Sequence, residues 1–272
     1  HRHYHYICTS TKIRMKLEEN DKLILITNDD GLYAGGIKTL IGIMEEFGKL
    51  VIISATESRS AMSQALTVKQ PLRVKLLDED EKKRIYACSG TPADGIKLAV
   101  NQLLERKPDL IVSGINHGSN ASASILYSGT MAAALEGCLY SITSVGFSLN
   151  SYSSSADFSG CGEYIRKICA MLLREPLPAG ICLNVNFPAI PASEIKGMVV
   201  ARQASGNWQE EFEKRKDPAG KTYYWLTGNF INHEPVASDT DDWAINNGYV
   251  SVVPVTTDMT AYSYMETLKS KL

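Results

Sequence analysis

Two adjacent carboxylates, Asp29 and Asp30, stand in the stretch LILITNDDGLYAGG (Leu23–Gly36), directly after an apolar run and shortly before a glycine pair. Like charges this close repel each other, which raises one pKa unless a cation neutralises them. Two more segments carry polar groups of matching kind: Glu57, Ser58, Arg59 and Ser60, and SGINHGSN from Ser113 to Asn120. Asp29, Asp30, the Ser60 hydroxyl and the Asn116 amide oxygen together make an all-oxygen donor set for one hard divalent cation, Mg²⁺ or Mn²⁺. A local explanation competes with this one: Asn28 and Asp30 cap the following helix and close an Asx-type turn.

Further on, LYSGTMAAALEG opens a helix on Ser128, Gly129 and Thr130. A helix N-terminus offers backbone N–H groups and a positive dipole end to an anion such as phosphate, although Ser and Thr are equally ordinary N-caps. SGTPADG near Ser89 has the same form, and there capping is the preferred explanation. Gly114 and Gly118 would let backbone approach a ligand while the Asn116 and Asn120 amides point inward. His117 lies among them, either as a general acid or as a supporting loop residue. No GxGxxG follows the first apolar run and no GxxxxGK[ST] occurs, so nicotinamide and ATP-driven chemistry lose their main support.

These groups need elements to hold them. Leu23–Ile26 reads as a buried strand, Ile37, Leu40, Ile41 and Met44 repeat at helical spacing, and Leu50–Ile53 reads as the next strand, which predicts a parallel pair with a crossover helix. The alternation continues with a helix from Pro92 to Leu104, N-capped by Thr91 with Asp94 in its first turn. A strand at Asp109–Ser113, a helix at Met131–Tyr140, a strand at Val145–Ser148, a helix at Tyr164–Leu173 and a strand at Ile181–Val185 follow. This rhythm predicts an α/β fold, a three-layer sandwich. In such folds ligands gather at the carboxyl ends of the strands, where the polar segments fall.

After about Pro188 the rhythm changes to a hairpin, with KDPAGK as its turn and Tyr223–Leu226 as a strand. We divide the chain into a leader (1–14), a catalytic core (15–188) and a C-terminal extension (189–272). The hairpin's aromatic residues Trp208, Phe212, Tyr223, Tyr224 and Trp225 line a substrate pocket, form a subunit contact or pack beneath the insertion, the subunit contact being slightly preferred. Asn150–Gly160 is expected to be a mobile surface loop. His1, His3 and His5 read as part of an added leader ahead of Met15.

Composition bounds the rest. The 272 residues are 44% hydrophobic and 21% charged, with a formal net charge of −2, which provides no basic surplus for nucleic-acid polymers. The six cysteines show no CxxC spacing and read as reduced and mostly buried. With no membrane-spanning apolar run and no hydrophobic leader, a cytoplasmic location is expected.

ILITNDDG, SRSAMSQALTV, SGTPADGIKLA, PDLIVSGINHGSN and ILYSGTMAAALEG, in this order, closely resemble the SurE family of survival-protein nucleotidases. The resemblance runs from about Leu23 to Pro254, including Arg202–Gln203 and DWAINNGYVSVVPV. It implies a metal-dependent phosphatase that acts on nucleoside 5′- and 3′-monophosphates, in some members also on short polyphosphate. It also implies metal ligation by Asp29, Asp30, Ser60 and Asn116, and phosphate contacts from Asn120, Ser128, Gly129 and Thr130. A Rossmann-like, mostly parallel sheet is implied, with a C-terminal extension exchanged between subunits of a homodimer and sometimes joining dimers into a tetramer. One departure is visible: Tyr127 stands where many relatives carry His, so any proton transfer by that His passes here to Asp30, His117 or water on the metal.

On this reading Asp29, Asp30 and Asn120 carry catalysis, Asp30 doubling as a proton acceptor. Two alternatives stay open: a phosphatase forming an aspartyl-phosphate, which the absence of a second Asp two positions after Asp29 disfavours, and a nucleotide sensor that binds without hydrolysis.

Overall fold

The computed structural model describes residue 18, residues 20–56, residue 58 and residues 62–272. The expected leader, Glu57, Arg59 and Ser60 lie outside the described residues.

Apolar runs covered on both faces become strands of a largely parallel sheet. In chain order its first members are β1 (Leu23–Thr27), β2 (Lys49–Ser54), β3 (Val74–Glu79), β4 (Lys83–Cys88), β5 (Leu110–His117), β6 (Ser144–Leu149), β7 (Ile181–Phe187) and β8 (Met198–Val200). Two short ribbons follow, from β9 (Gly206–Gln209), β10 (Phe212–Lys216), β11 (Thr222–Leu226) and β12 (Asn229–Asn232), before β13 (Val250–Thr256) returns to the sheet. Among the described residues nine strands make this sheet, in the order β3-β4-β2-β1-β5-β6-β7-β13-β8. Only β3 against β4 and β13 against β7 run antiparallel.

Helices cover both faces. α1 (Gly35–Met44) and α4 (Gly162–Arg174) set Ile37, Leu40, Ile165 and Leu172 against Ile24, Ile26 and Val112. On the other face α2 (Pro92–Leu98) and α3 (Gly129–Leu139) bring Ile96 and Ala133 onto Leu23, Leu25 and Ile111. This is the three-layer α/β sandwich that the alternation predicts. Thr91 and Asp94 close a reciprocal capping box at the start of α2, and the helix widens into a π-helical turn over Ala99–Leu103. α5 (Asp241–Asn246) and α6 (Tyr262–Lys269) complete the chain.

Strand order reverses at β1: β2 and β4 extend to one side, and β5, β6 and β7 to the other. The carboxyl ends of β1 and β5 therefore flank the switch point where open α/β sheets hold ligands. β5 runs past its predicted end at Ser113 as far as His117. Gly114, at φ +123°, kinks the strand, and its register against β6 shifts between Ser113 and Asn116 before pairing resumes. Glycine usually punctuates a strand, and here it bends one instead.

Cys88, Cys138, Cys161, Cys169 and Cys182 are free and buried, while Cys8 lies outside the described residues. No helix among the described residues is long and apolar enough to cross a membrane.

Candidate active site

The tip of β1 passes into Asn28, Asp29 and Asp30. Asn28 holds the turn, its Nδ2 donating to the Gly31 carbonyl at 3.0 Å while the Ser54 hydroxyl donates to its Oδ1. Neither Asn28 nor Asp30 caps α1, whose N-cap is Ala34 with no side-chain hydrogen bond. Asp30 is engaged elsewhere: its Oδ2 accepts the His117 backbone N–H at 2.9 Å and lies 3.1 Å from His117 Nδ1. The imidazole is held from the side by Phe158, edge-on at 5.0 Å between ring centroids.

Asp29 is only 3% exposed. Its Oδ1 accepts the Thr130 hydroxyl at 2.6 Å, and the Thr130 and Asp29 backbone N–H groups also face the carboxyl. Burial pushes the Asp29 carboxyl up to about 6, the Thr130 hydrogen bond opposes that rise, and the charge of Asp30 adds to it. Gly129 permits this approach, because a Cβ there would lie 2.8 Å from Asp29 Oδ2. Ser128 is the N-cap of α3, its Oγ accepting the Met131 N–H at 2.9 Å.

Past the kink in β5, Asn116 Nδ2 donates to the carbonyls of Gly118 at 2.7 Å and His117 at 3.2 Å. Its oxygen therefore points away from that turn. Asn120 is fixed on all sides: its Nδ2 donates to Ser148 Oγ at 2.7 Å, its N–H to Asn186 Oδ1 at 2.8 Å, and its carbonyl accepts from Asn184 Nδ2 at 2.8 Å. Asn186 Nδ2 in turn donates to Asn184 Oδ1 at 2.9 Å. Asn184 and Asn186 escaped the sequence reading, although two amides at period two in the otherwise apolar ICLNVNF were a legible signal of a buried polar face.

A cleft of about 680 Å³ opens over these groups, lined by Asp29, Asn116, His117, Asn120, Tyr127 and Ser128. Thr130 and Gly129 sit behind it against Asp29, and Asp30 lies behind it on His117. Ser60 falls outside the described residues. Among those described, no three His, Cys, Asp or Glu side chains converge on one point. The donors at the site are thus two carboxylates and amide oxygens, a set that fits a hard divalent ion, and a cation beside Asp29 would offset the cost of burying its charge.

One further element bears on the site. Asp241, the first residue of α5, is buried and accepts N–H bonds from Ser122 at 2.8 Å, Ala204 at 2.9 Å and Asp242 at 2.8 Å. It fastens the turn that leads to Tyr127 onto the start of the ribbon region. Nothing in the sequence singled it out.

A family model described as Survival protein SurE matches residues 24–210. The chain belongs to the SurE family. It is 49% identical over 249 residues to the 5′-nucleotidase SurE of Flavobacterium psychrophilum, covering 91% of this chain and 96% of the relative. To the 5′-nucleotidase SurE of Bacteroides fragilis it is 48% identical over 256 residues, covering 93% and 99%. The crystal structure of the SurE protein from Aquifex aeolicus matches with a TM-score of 0.79 at 35% identity, covering 92% of this chain and 99% of that one. The SurE match thus takes in both carboxyl-end loops of β1 and β5.

Proposed function

We propose that this SurE chain is a divalent-metal-dependent nucleotidase that hydrolyses nucleoside 5′- and 3′-monophosphates to nucleoside and phosphate, with short polyphosphate as a further substrate. The observation that carries the reading is the buried Asp29 carboxyl at the sheet's switch point, backed by Thr130 and facing the cleft with Asn116, in a chain nearly half identical to proteins named 5′-nucleotidase.

Asp29, Asp30, Asn116 and Ser60 would hold one Mg²⁺ or Mn²⁺ per subunit. Such an ion, when bound, would supply the charge that polarises a phosphoryl oxygen and lowers the pKa of water, so that near neutral pH it loses a proton and becomes the nucleophile. Asn120, locked by Ser148, Asn184 and Asn186, is preorganised to donate to an equatorial oxygen of the phosphoryl group, as is the end of α3 at Ser128, Gly129 and Thr130. His117 lines the cleft with Nδ1 facing Asp30, which leaves Nε2 as the atom that passes a proton to the leaving oxygen.

Exposed apolar side chains support a homodimer, or a tetramer of two dimers. α6 buries none of its residues yet carries Tyr262, Tyr264, Met265 and Leu268, and Phe212, Tyr224 and Trp225 stand exposed on the β10–β11 ribbon. The free, buried cysteines fit a reducing, cytoplasmic setting.

The test is phosphate release from 5′- and 3′-nucleoside monophosphates and tripolyphosphate with Mg²⁺, Mn²⁺ or EDTA, run beside Asp29→Asn. Metal-dependent turnover that falls at least 100-fold in the variant is expected. Turnover that survives both EDTA and Asp29→Asn would overturn the metal assignment, and silence with every metal would favour a nucleotide sensor.

A further inference from the structure

The aromatic residues of the C-terminal arm divide into two sets. Phe212, Tyr224 and Trp225 are exposed on the β10–β11 ribbon and take no part in the cleft that holds Asp29. Trp208, on β9, lines that cleft together with Tyr127 from the turn before α3. Tyr127 is 57% exposed, so its ring is open toward the cleft it lines.

Trp208 is braced for such a role. It stands opposite Phe230 in the β9–β12 register, and the two rings meet edge to face at 6.2 Å. The segment just beyond it is fastened by the Thr227 N–H donating to the Glu211 carbonyl at 2.7 Å. Asp241 accepts the N–H groups of Ser122, at the start of the turn that ends in Tyr127, and of Ala204, four residues ahead of Trp208, and so joins the two segments.

The cleft's charge says which end of a ligand belongs there. Its described lining holds Glu211 on the arm and no Lys or Arg. On the arm side of the cleft, an uncharged planar ring system would stack on the aromatic faces. At about 680 Å³ the cleft is of the size that takes a small organic ligand, larger than a phosphate alone requires.

We infer that Trp208 and Tyr127 form a nucleobase seat at the outer end of the cleft, and that this seat selects nucleotides over phosphate esters lacking a base. The inference rests on the nucleotidase reading and adds the specificity-determining residues to it. Stacking tolerates every base, so purines and pyrimidines are both accepted, purines more tightly for their larger face.

The experiment compares AMP with ribose 5-phosphate in wild type, Trp208→Leu, Trp208→Phe and Tyr127→Leu, together with calorimetric binding of adenosine. In each Leu variant the preference for AMP over ribose 5-phosphate in kcat/KM should fall at least about fivefold, chiefly through KM, with weaker adenosine binding, while Trp208→Phe keeps most of the preference. Equal losses on both substrates, or an unchanged preference with unchanged adenosine binding, would overturn the seat and leave the phosphatase intact. A folded wild type that releases no phosphate from AMP under any metal overturns the nucleotidase reading instead. The seat is then decided by adenosine binding alone, upheld if Trp208→Leu weakens it and overturned if the two proteins bind alike or not at all.

Discussion

Thr130 donates its hydroxyl to Asp29 Oδ1 across 2.6 Å, joining the second residue of α3 to the carboxylate at the tip of β1 over 101 positions of chain. A helix opening read from sequence as a phosphate seat thereby also orients the central carboxylate. Groups that orient a metal-binding carboxylate typically cost 10- to 100-fold in metal affinity or activity when lost. On the proposed metal assignment, Thr130→Val should raise the Mn²⁺ concentration needed for half-maximal phosphate release by about 10- to 100-fold, and Thr130→Ser should restore most of the affinity. Titrating activity with Mn²⁺ checks both variants.

Gly129 makes a second test that separates stability from function. Alanine is favoured over glycine in helices by about 1 kcal/mol. A Cβ at this position would lie 2.8 Å from Asp29 Oδ2 and 2.9 Å from Asp29 Cβ, so the carboxylate must move. Gly129→Ala is expected to offset any helix-propensity gain by this overpacking, so that its melting temperature does not rise, and to lose at least about tenfold in kcat/KM, since small misplacements of reacting groups are that costly.

Asp241→Ala removes the acceptor of the buried Ser122 and Ala204 N–H groups. Each orphaned buried donor costs about 1–3 kcal/mol, so a marked drop in melting temperature is expected, in contrast to surface substitutions.

Burial holds the Asp241 carboxyl above the ordinary aspartate range, against the hydrogen bonds that lower it. A raised folded-state pKa means that the native state binds the proton more tightly than the unfolded chain. Stability from this group therefore rises as pH falls through the folded value, and the gain is complete below the unfolded one. The stability of wild type relative to Asp241→Asn should increase as pH is lowered from 7 toward 4, measured by denaturant midpoints at each pH. A relative stability that stays flat or declines would contradict this.

Burial pushes the Cys161 and Cys169 thiols up to about 12, with the charge of Asp157 adding to the rise at Cys161. Thiolate is the reactive form, so neither side chain should be alkylated by iodoacetamide at pH 8 in the folded protein, and both should be labelled in denaturant. Peptide mass spectrometry resolves the two sites.

The sheet's central strands and their helices were legible because strands buried on both faces read as unbroken apolar runs, and α1 and α4 repeat at helical spacing. β3 was not: VKLLDE is exposed at every position on the sheet edge and has neither pattern. The site was readable where neighbours in sequence are neighbours in space, as at Asp29 and Asp30. Pairings such as Asp30 with His117, Thr130 with Asn28's neighbour Asp29, and Asp241 with Ser122 span 87, 101 and 119 positions, and no local pattern encodes them. The capping explanation failed for Asp30 for the same reason, its true partner being the distant His117, whereas Asn28 closes a local turn onto the Gly31 carbonyl instead of capping the helix.

The ribbons β9–β12 and β10–β11 lie outside the nine-stranded sheet, yet Trp208 on the first of them lines the cleft. The proposed reacting groups and the proposed base-stacking residue thus sit on different sheets of one chain. A lineage or an engineer is free to graft a different arm onto the same sheet, changing which phosphate esters are admitted while the reacting end is inherited untouched.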